Sequence, residues 1–414
     1  MTTTRREFIK TVGAAIASTK INPEPPANAS ISPMQQPNPA PAQTSGKRKV
    51  IYDQDTAGPF GTDILATLMM LQADNIDLLG ITLVTGDAWM KQEMAFTLRL
   101  LEMMGRTEIP VYPGAEFPML NTKEEWQLRQ QLYGGHRMDP WMGAFNRAGG
   151  GPDEIKPLPP PYDRFAIINA QQDHAARFIA KTVRENPGEV TIYAGGPLTN
   201  LALAIALAPD IVPLVPEVVI MGTGFHVFTN TFNIFFDPES ARKVLRAAWP
   251  KFTIVSVDIA EEVHESDEIS PGRAMVDEIA ARSQDPISDL FQMYAVEPMR
   301  RDPGARLFRM ADEMIAAQII DPGIFTKSET MYVDICTTPG PRYGDSMFWK
   351  QNWQDAPDAG VLVNAADRRV FVNPSQFYLG PPPSAGLANL LLELDHDRFK
   401  KLFVDLMTKP IRKA

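Results

Sequence analysis

Lys49-Val50-Ile51-Tyr52-Asp53-Gln54-Asp55-Thr56-Ala57-Gly58-Pro59-Phe60-Gly61-Thr62-Asp63-Ile64-Leu65-Ala66 is the stretch that decides the fold. A short apolar, β-prone run ends in two carboxylates spaced i and i+2, crosses a turn rich in Gly and Pro, and meets a third carboxylate where helical periodicity begins. That is a strand, a loop and a helix start. Along an extended strand Asp53 and Asp55 face the same side, and Asp63 falls in the first turn of a helix whose apolar face is Ile64, Leu65, Leu68 and Met69. Three carboxylates therefore converge at the carboxyl end of a strand, where open α/β sheets bind ligands. Clustered carboxylates repel one another unless shared protons or a cation neutralise them, and a hard, oxygen-preferring cation such as Ca2+ or Mg2+ suits such a site.

Outward from this stretch the chain alternates strands and helices, the pattern of a mostly parallel central sheet covered by helices on both faces. Strands are expected at Val50 to Asp53, Leu78 to Val84, Val190 to Ala194, Val218 to Met221, Phe252 to Val257 and Met331 to Ile335. Between them helices are expected at Asp63 to Ala73, Gln92 to Met104, Asp173 to Asn186, Leu198 to Ala206 and Pro238 to Ala248, the last opened by Asp237-Pro238-Glu239, an N-cap, a proline and an acid. The fold class is α/β, a single large Rossmann-like domain over 47–414. Gly134 to Pro161, dense in Gly and Pro, reads as a long surface excursion whose His136, Trp141 and Phe145 could close over a substrate.

Residues 1–29 read as a twin-arginine signal peptide: Thr4-Arg5-Arg6-Glu7-Phe8-Ile9-Lys10, a mild apolar run from Thr11 to Ser18, and a small-residue cleavage site at Ala27-Asn28-Ala29. Residues 30–46 continue a Pro- and Ala-rich linker with too little apolar content to bury a core. The expected location is periplasmic or secreted, reached in the folded state. The lone Cys336 agrees, because a chain with one cysteine cannot depend on an internal disulfide. A formal charge of −10 and a pI near 5.2 argue against nucleic acid as partner, since phosphate contacts need basic patches. After signal removal no run is long and apolar enough to span a bilayer, so no membrane partner is expected.

Further places could carry chemistry. Gly195-Gly196-Pro197-Leu198-Thr199-Asn200 follows a strand and starts a helix at the same sheet edge as Asp55; Met221-Gly222-Thr223-Gly224 ends another strand, with Thr231, Phe232 and Asn233 beyond it. Gly86-Asp87 follows the second strand, and Asp312-Glu313 lies in an otherwise apolar helix. Taken singly these read as a βα turn, a flexible loop, a helix cap and a solvated face. In this order, from about Lys49 to Asp345, they resemble the calcium-dependent nucleoside hydrolases of the inosine-uridine-preferring type. Asp53-Gln54-Asp55 is similar to the family's opening Asp-x-Asp, and Asp63-Ile64-Leu65-Ala66 to the end of its Asp-Asp-Ala-x-Ala. Leu79 to Thr82 with Gly86, Gly196 to Ala202, Phe232-Asn233-Ile234 with Asp237-Pro238-Glu239, and Val333-Asp334-Ile335 are similar to its later blocks.

The resemblance implies hydrolysis of the N-glycosidic bond of a ribonucleoside or related N-riboside. It implies that Asp55, Asp63, the main-chain carbonyl of Thr199 and Asp312 hold Ca2+, with Asp53 beside them, and that Asp55 takes the proton of the attacking water. Asn233 would hydrogen-bond the sugar, Asp87 stands where the family has Asn, and the assembly would be a homo-oligomer. The chemistry agrees: an oxocarbenium-like state needs carboxylates near a positive ring, an activated water and a way to neutralise the departing base. The sequence departs from the pattern where Thr62 replaces the first Asp of the pair, Thr231 replaces the acid that accompanies Asn233, and Ala311 replaces a His. An acid restored at position 62 is expected to strengthen ribose binding. His226, His136 and His264 are the candidate leaving-group donors. The alternatives are a secreted non-catalytic nucleoside- or sugar-binding homologue, and a haloacid dehalogenase-like phosphatase in which Asp53 is nucleophile and Asp55 acid.

Overall fold

Strand β1 (Arg48–Gln54) places the opening motif in the middle of the main sheet, flanked by β2 (Ile76–Leu83) and β4 (Val190–Ala194), both parallel to it. A computed structural model describes residues 46–133, 142–146, 149–224, 231–259, 272–302, 310–351, 361–362, 370–371 and 380–411. The other strands are β3 (Val111–Tyr112), β5 (Glu217–Met221), β6 (Phe252–Val255), β7 (Phe325–Ile335), β8 (Ser346–Lys350), the two-residue pair β9 (Val361–Leu362) and β10 (Val370–Phe371), and β11 (Gly386–Leu394). Among the described residues the main sheet has nine strands in the order β3-β2-β1-β4-β5-β6-β11-β7-β8. It is parallel from β3 to β11 and turns antiparallel at β7 and β8.

The helices are α1 (Thr62–Gln72), α2 (Met90–Met103), α3 (Lys123–Tyr133), α4 (Ala175–Glu185), α5 (Thr199–Leu207), α6 (Phe232–Phe236), α7 (Pro238–Leu245), α8 (Arg273–Arg282), α9 (Ile287–Phe291), α10 (Glu297–Arg301), α11 (Asp312–Ile320) and α12 (His396–Thr408). Alternation along β1 sorts them onto two faces. Val50 and Tyr52 pack with Ile64, Leu65 and Leu68 of α1, Met314 of α11 and Phe403 of α12, whereas Ile51 packs with Ile179 of α4 and Leu201 of α5. Burying each such side chain contributes about 1.5–3 kcal/mol, so the two apolar faces fix the register that presents the acids at the strand's end.

The expected strands and helices are present, with β7 longer than expected because its first half is a polar, partly exposed run, and β6 ending at Val255. β8, β9, β10 and β11 were not anticipated. Part of the 134–161 excursion packs on the sheet edge: a 3-10 turn at Gly143–Phe145 carries the Ala144 N–H, which donates to the Gly86 carbonyl at 2.8 Å, and Phe145 joins Trp89, Trp126 and Phe236 in a separate aromatic cluster. Residues 1–45 and His136, Trp141, His226 and His264 lie outside the described residues. Among the described residues no helix is long and apolar enough to cross a membrane.

Candidate active site

Asp55 follows directly on β1 and is gripped from both neighbouring strands. After β2, the Asp87 N–H donates to Asp55 Oδ2 at 3.0 Å, and Gly86 stands so close that a Cβ there would overlap the Asp55 carboxylate. After β4, a Cβ on Gly196 would lie 2.7 Å from Asp55 Oδ1. Glycine is required at both positions because the backbone approaches a side chain, not because of its dihedral freedom.

Gln54 points to the face opposite Asp53. Its Nε2 donates to Asp312 Oδ2 at 2.7 Å and to Asp63 Oδ1 at 3.1 Å, so one amide links the first residue of α11 to the second of α1. Asp63 Oδ2 also accepts the Ala57 N–H at 3.0 Å. Burial, then the charges of Asp87 and Asp312, push Asp55 well above the usual carboxylate range. Burial, then Asp87, Asp55 and Asp312, do the same to Asp63, and burial raises Asp312. No ion pair joins these three acids to a Lys or Arg among the described residues. All three are buried but keep 2, 5 and 4 % exposure, whereas Asp53 and Glu313 have none and Asp87 is partly exposed.

Asp53 turns away from this trio. Its Oδ1 accepts from Thr82 Oγ1 at 2.5 Å and Asn200 Nδ2 at 2.7 Å, and burial pushes its carboxyl up to about 7. Asn200 also donates to the Leu83 carbonyl and accepts the Ala115 N–H, tying β2 and the chain after β3 to the start of α5. Thr199, one residue earlier, donates its hydroxyl to Asp237 Oδ2 at 2.7 Å. Asn233 Nδ2 donates to the carbonyls of Gly195 and Met221, joining the ends of β4 and β5, and Thr231 Oγ1 accepts the Thr223 N–H at 3.0 Å. Thr62 Oγ1 accepts from the N–H groups of Ala311 and Asp312 and donates to Glu313 Oε2.

The structure thus brings Asp55, Asp63 and Asp312 together, with Asp87 beside them, and sets Asp53 behind them. Among the described residues no group of three or more His, Cys, Asp or Glu is closed around a point that could hold a metal ion. The donor chemistry nevertheless fits a hard cation: three buried carboxylates, each raised by burial, with Asp55 and Asp63 raised further by neighbouring charge. The Gln54 amide donates to both the Asp63 and the Asp312 carboxylates, and a cation would have to share or replace those bonds.

A family model described as inosine-uridine preferring nucleoside hydrolase matches residues 50–373. The chain belongs to that family. It is an enzyme of the nucleoside hydrolase type, which sets aside the phosphatase and non-catalytic alternatives. Among curated relatives it is 27 % identical over 330 residues to the pyrimidine-specific ribonucleoside hydrolase RihB of Escherichia coli O17:K52:H18, covering 78 % of this chain and 92 % of that one. Among solved structures it is similar in fold to a plant nucleoside hydrolase, the PpNRh1 enzyme, with a TM-score of 0.64 and 20 % identity over 88 % of this chain and 99 % of that one. A purine-preferring ribonucleoside hydrolase from Gardnerella vaginalis gives a TM-score of 0.61 and 18 % identity over 87 % and 98 %.

Three residues bonded into this cluster carry no expected role from the sequence. Gln54 sat inside the quoted motif, and strand alternation alone puts it on the face of α1 and α11. Asn200 closed the Gly-Pro-Leu-Thr-Asn run. Glu93, fully buried, accepts the Ala88 N–H at 3.0 Å and is raised by burial and then by Asp55; in the sequence it is the acid in the first turn of α2, a position where a helix start alone accounts for it.

Proposed function

We propose that the chain hydrolyses the N-glycosidic bond of ribonucleosides, releasing free base and ribose, with Ca2+ held by Asp55, Asp63, Asp312 and the Thr199 carbonyl. The observation that carries this reading is the trio of carboxylates gathered at the carboxyl end of β1, all buried and raised by burial, in a chain of this family. A bound Ca2+ would supply the charge that keeps these carboxylates ionised together and would polarise a water. Asp55 takes a proton from the attacking water as its oxygen bonds to the anomeric carbon and the C–N bond breaks. The departing base nitrogen gains a proton from solvent and Asp55 returns its proton to solvent, so that in sum water is divided between sugar and base. Asp55 can do this because Gly86, Gly196 and the Asp87 N–H leave its carboxylate one orientation. With a cation present, Asp63 and Asp312 would place negative charge near the ring as it becomes positive, while Asp53, held by Thr82 and Asn200, stays behind them.

The test is a panel of purine and pyrimidine ribonucleosides with a reducing-sugar readout, with and without a chelator. Ribose release abolished by chelator and restored by Ca2+ is expected. Release from no ribonucleoside would overturn the substrate class, and chelator-insensitive release would overturn the metal. We further propose that the enzyme is exported by the twin-arginine route, supported by Arg5-Arg6 and the single Cys336. Changing Arg5 and Arg6 to Lys should leave unprocessed precursor in the cytoplasm.

A further inference from the structure

Thr62 is the first residue of α1, and its hydroxyl is turned inward and fully used. It accepts the N–H of Asp312 at 2.7 Å and of Ala311 at 3.1 Å, and donates to Glu313 Oε2 at 2.6 Å. A hydroxyl has one proton and two lone pairs, so these three bonds leave nothing for a sugar hydroxyl.

The partners are not arbitrary. Thr62 immediately precedes Asp63, and its partners are Asp312 and the two residues that bracket it, Ala311 and Glu313. Helix α11 has no capping side chain of its own, since Ala311 is its N-cap, and Gly61 likewise gives α1 none. A helix start leaves unpaired N–H groups, and here a threonine from another helix covers two of them. With the Gln54 amide between the Asp63 and Asp312 carboxylates, two braces span the same gap, one at main-chain and one at side-chain level. Glu313 is wholly buried, and its second oxygen, Oε1, has no hydrogen-bond partner.

We propose that Thr62 is a positioning residue that fixes the start of α1 against the start of α11, and so Asp63 against Asp312, through its bonds to Ala311, Asp312 and Glu313. This rests on the Ca2+ reading above. The clamp acts on the cation site; it does not touch the sugar.

The test titrates Ca2+ alone into purified wild type, Thr62→Ser and Thr62→Val by calorimetry, followed by nucleoside kinetics at limiting and saturating Ca2+. Thr62→Val removes all three bonds and should weaken Ca2+ about tenfold or more, the usual effect of losing a group that orients a metal ligand. Its kcat should fall at limiting Ca2+ and recover at saturating Ca2+, with KM for the nucleoside unchanged. Thr62→Ser keeps the hydroxyl and should restore Ca2+ affinity. Thr62→Ala, which adds no bulk, replaces the valine variant if that chain does not fold. Unchanged Ca2+ affinity with a raised KM would make Thr62 a sugar contact and overturn the clamp. Wild type that binds no Ca2+ would overturn the metal reading, and the clamp with it.

Discussion

Replacing Gly86 by alanine tests whether the position of Asp55 limits the reaction. The added Cβ would meet the Asp55 carboxylate carbon at 2.7 Å, where ordinary contact begins at 3.4 Å, and would overlap Oδ2. Gly86 cannot yield, because its N–H donates to the Ala88 carbonyl at 3.1 Å and its own carbonyl accepts from Ala144 at 2.8 Å. Asp55 must move instead, and Gly196 blocks retreat on its other side. A displacement of about 1 Å breaks the bond from the Asp87 N–H and is of the size that costs roughly 10²-fold in rate. Stability should fall by about 1–3 kcal/mol, as expected for one methyl group forced into a packed site. The assay is kcat/KM for ribonucleoside hydrolysis with thermal unfolding of the same sample, and Gly151→Ala, where an added Cβ meets nothing within 4 Å, is the control. A Gly86→Ala enzyme that unfolds at the wild-type temperature with kcat/KM within about threefold of wild type would refute a catalytic Asp55 held in this orientation.

Asp63→Asn should weaken Ca2+ binding, and Asp55→Asn should weaken it and abolish turnover, because each removes charge and a donor from a hard cation; calorimetry that finds both affinities unchanged would place the metal elsewhere. Thr62→Asp, which the family pattern alone would favour, should lower the melting temperature of the metal-free protein by setting a carboxylate against Glu313, and adding Glu313→Gln should recover it; additive losses in the double variant would refute the contact. Asp334 is buried on β7, and although burial raises its carboxyl, hydrogen bonds from Arg246 and Arg242 hold it below the usual carboxylate range. Its folded pKa lies below its unfolded one, so its stabilisation is present above the ordinary carboxylate pKa and is lost as pH falls through the folded value. Asp334→Asn should therefore cost about 1–3 kcal/mol at neutral pH and less in acid, a figure kept modest because both arginines are partly exposed; a loss independent of pH would contradict it.

What the sequence disclosed follows from how local each signal is. β1, α1 and α4 are written in apolar periodicity and turn chemistry that a short window contains, and the structure places them within a few residues of the expected bounds. β11 was illegible because it enters between β6 and β7 from far along the chain, and nothing in Gly386-Leu387-Ala388-Asn389 states its partners. The acids of the opening motif were visible as a cluster, but their division was not: Asp53 is held by Thr82 and Asn200, while Gln54, between two acids, reaches Asp63 and Asp312. Thr62 looked like a missing carboxylate because its partner, Glu313, stands 251 positions away.

That separation also bears on how the protein is made. Thr62 meets the Asp312 N–H across 250 residues of chain, so the pocket does not exist until α11 has left the ribosome and docked beside α1. Through most of synthesis the early acids have neither their amide brace to Asp312 nor their clamp to α11, and cation binding cannot nucleate the first half of the fold. Contacts this distant are closed late and at high entropic cost. Ca2+ affinity would then report completed folding, and an aborted or clipped chain lacking α11 would lack Asp312 and the Thr62 clamp while keeping Asp53 on Thr82 and Asn200.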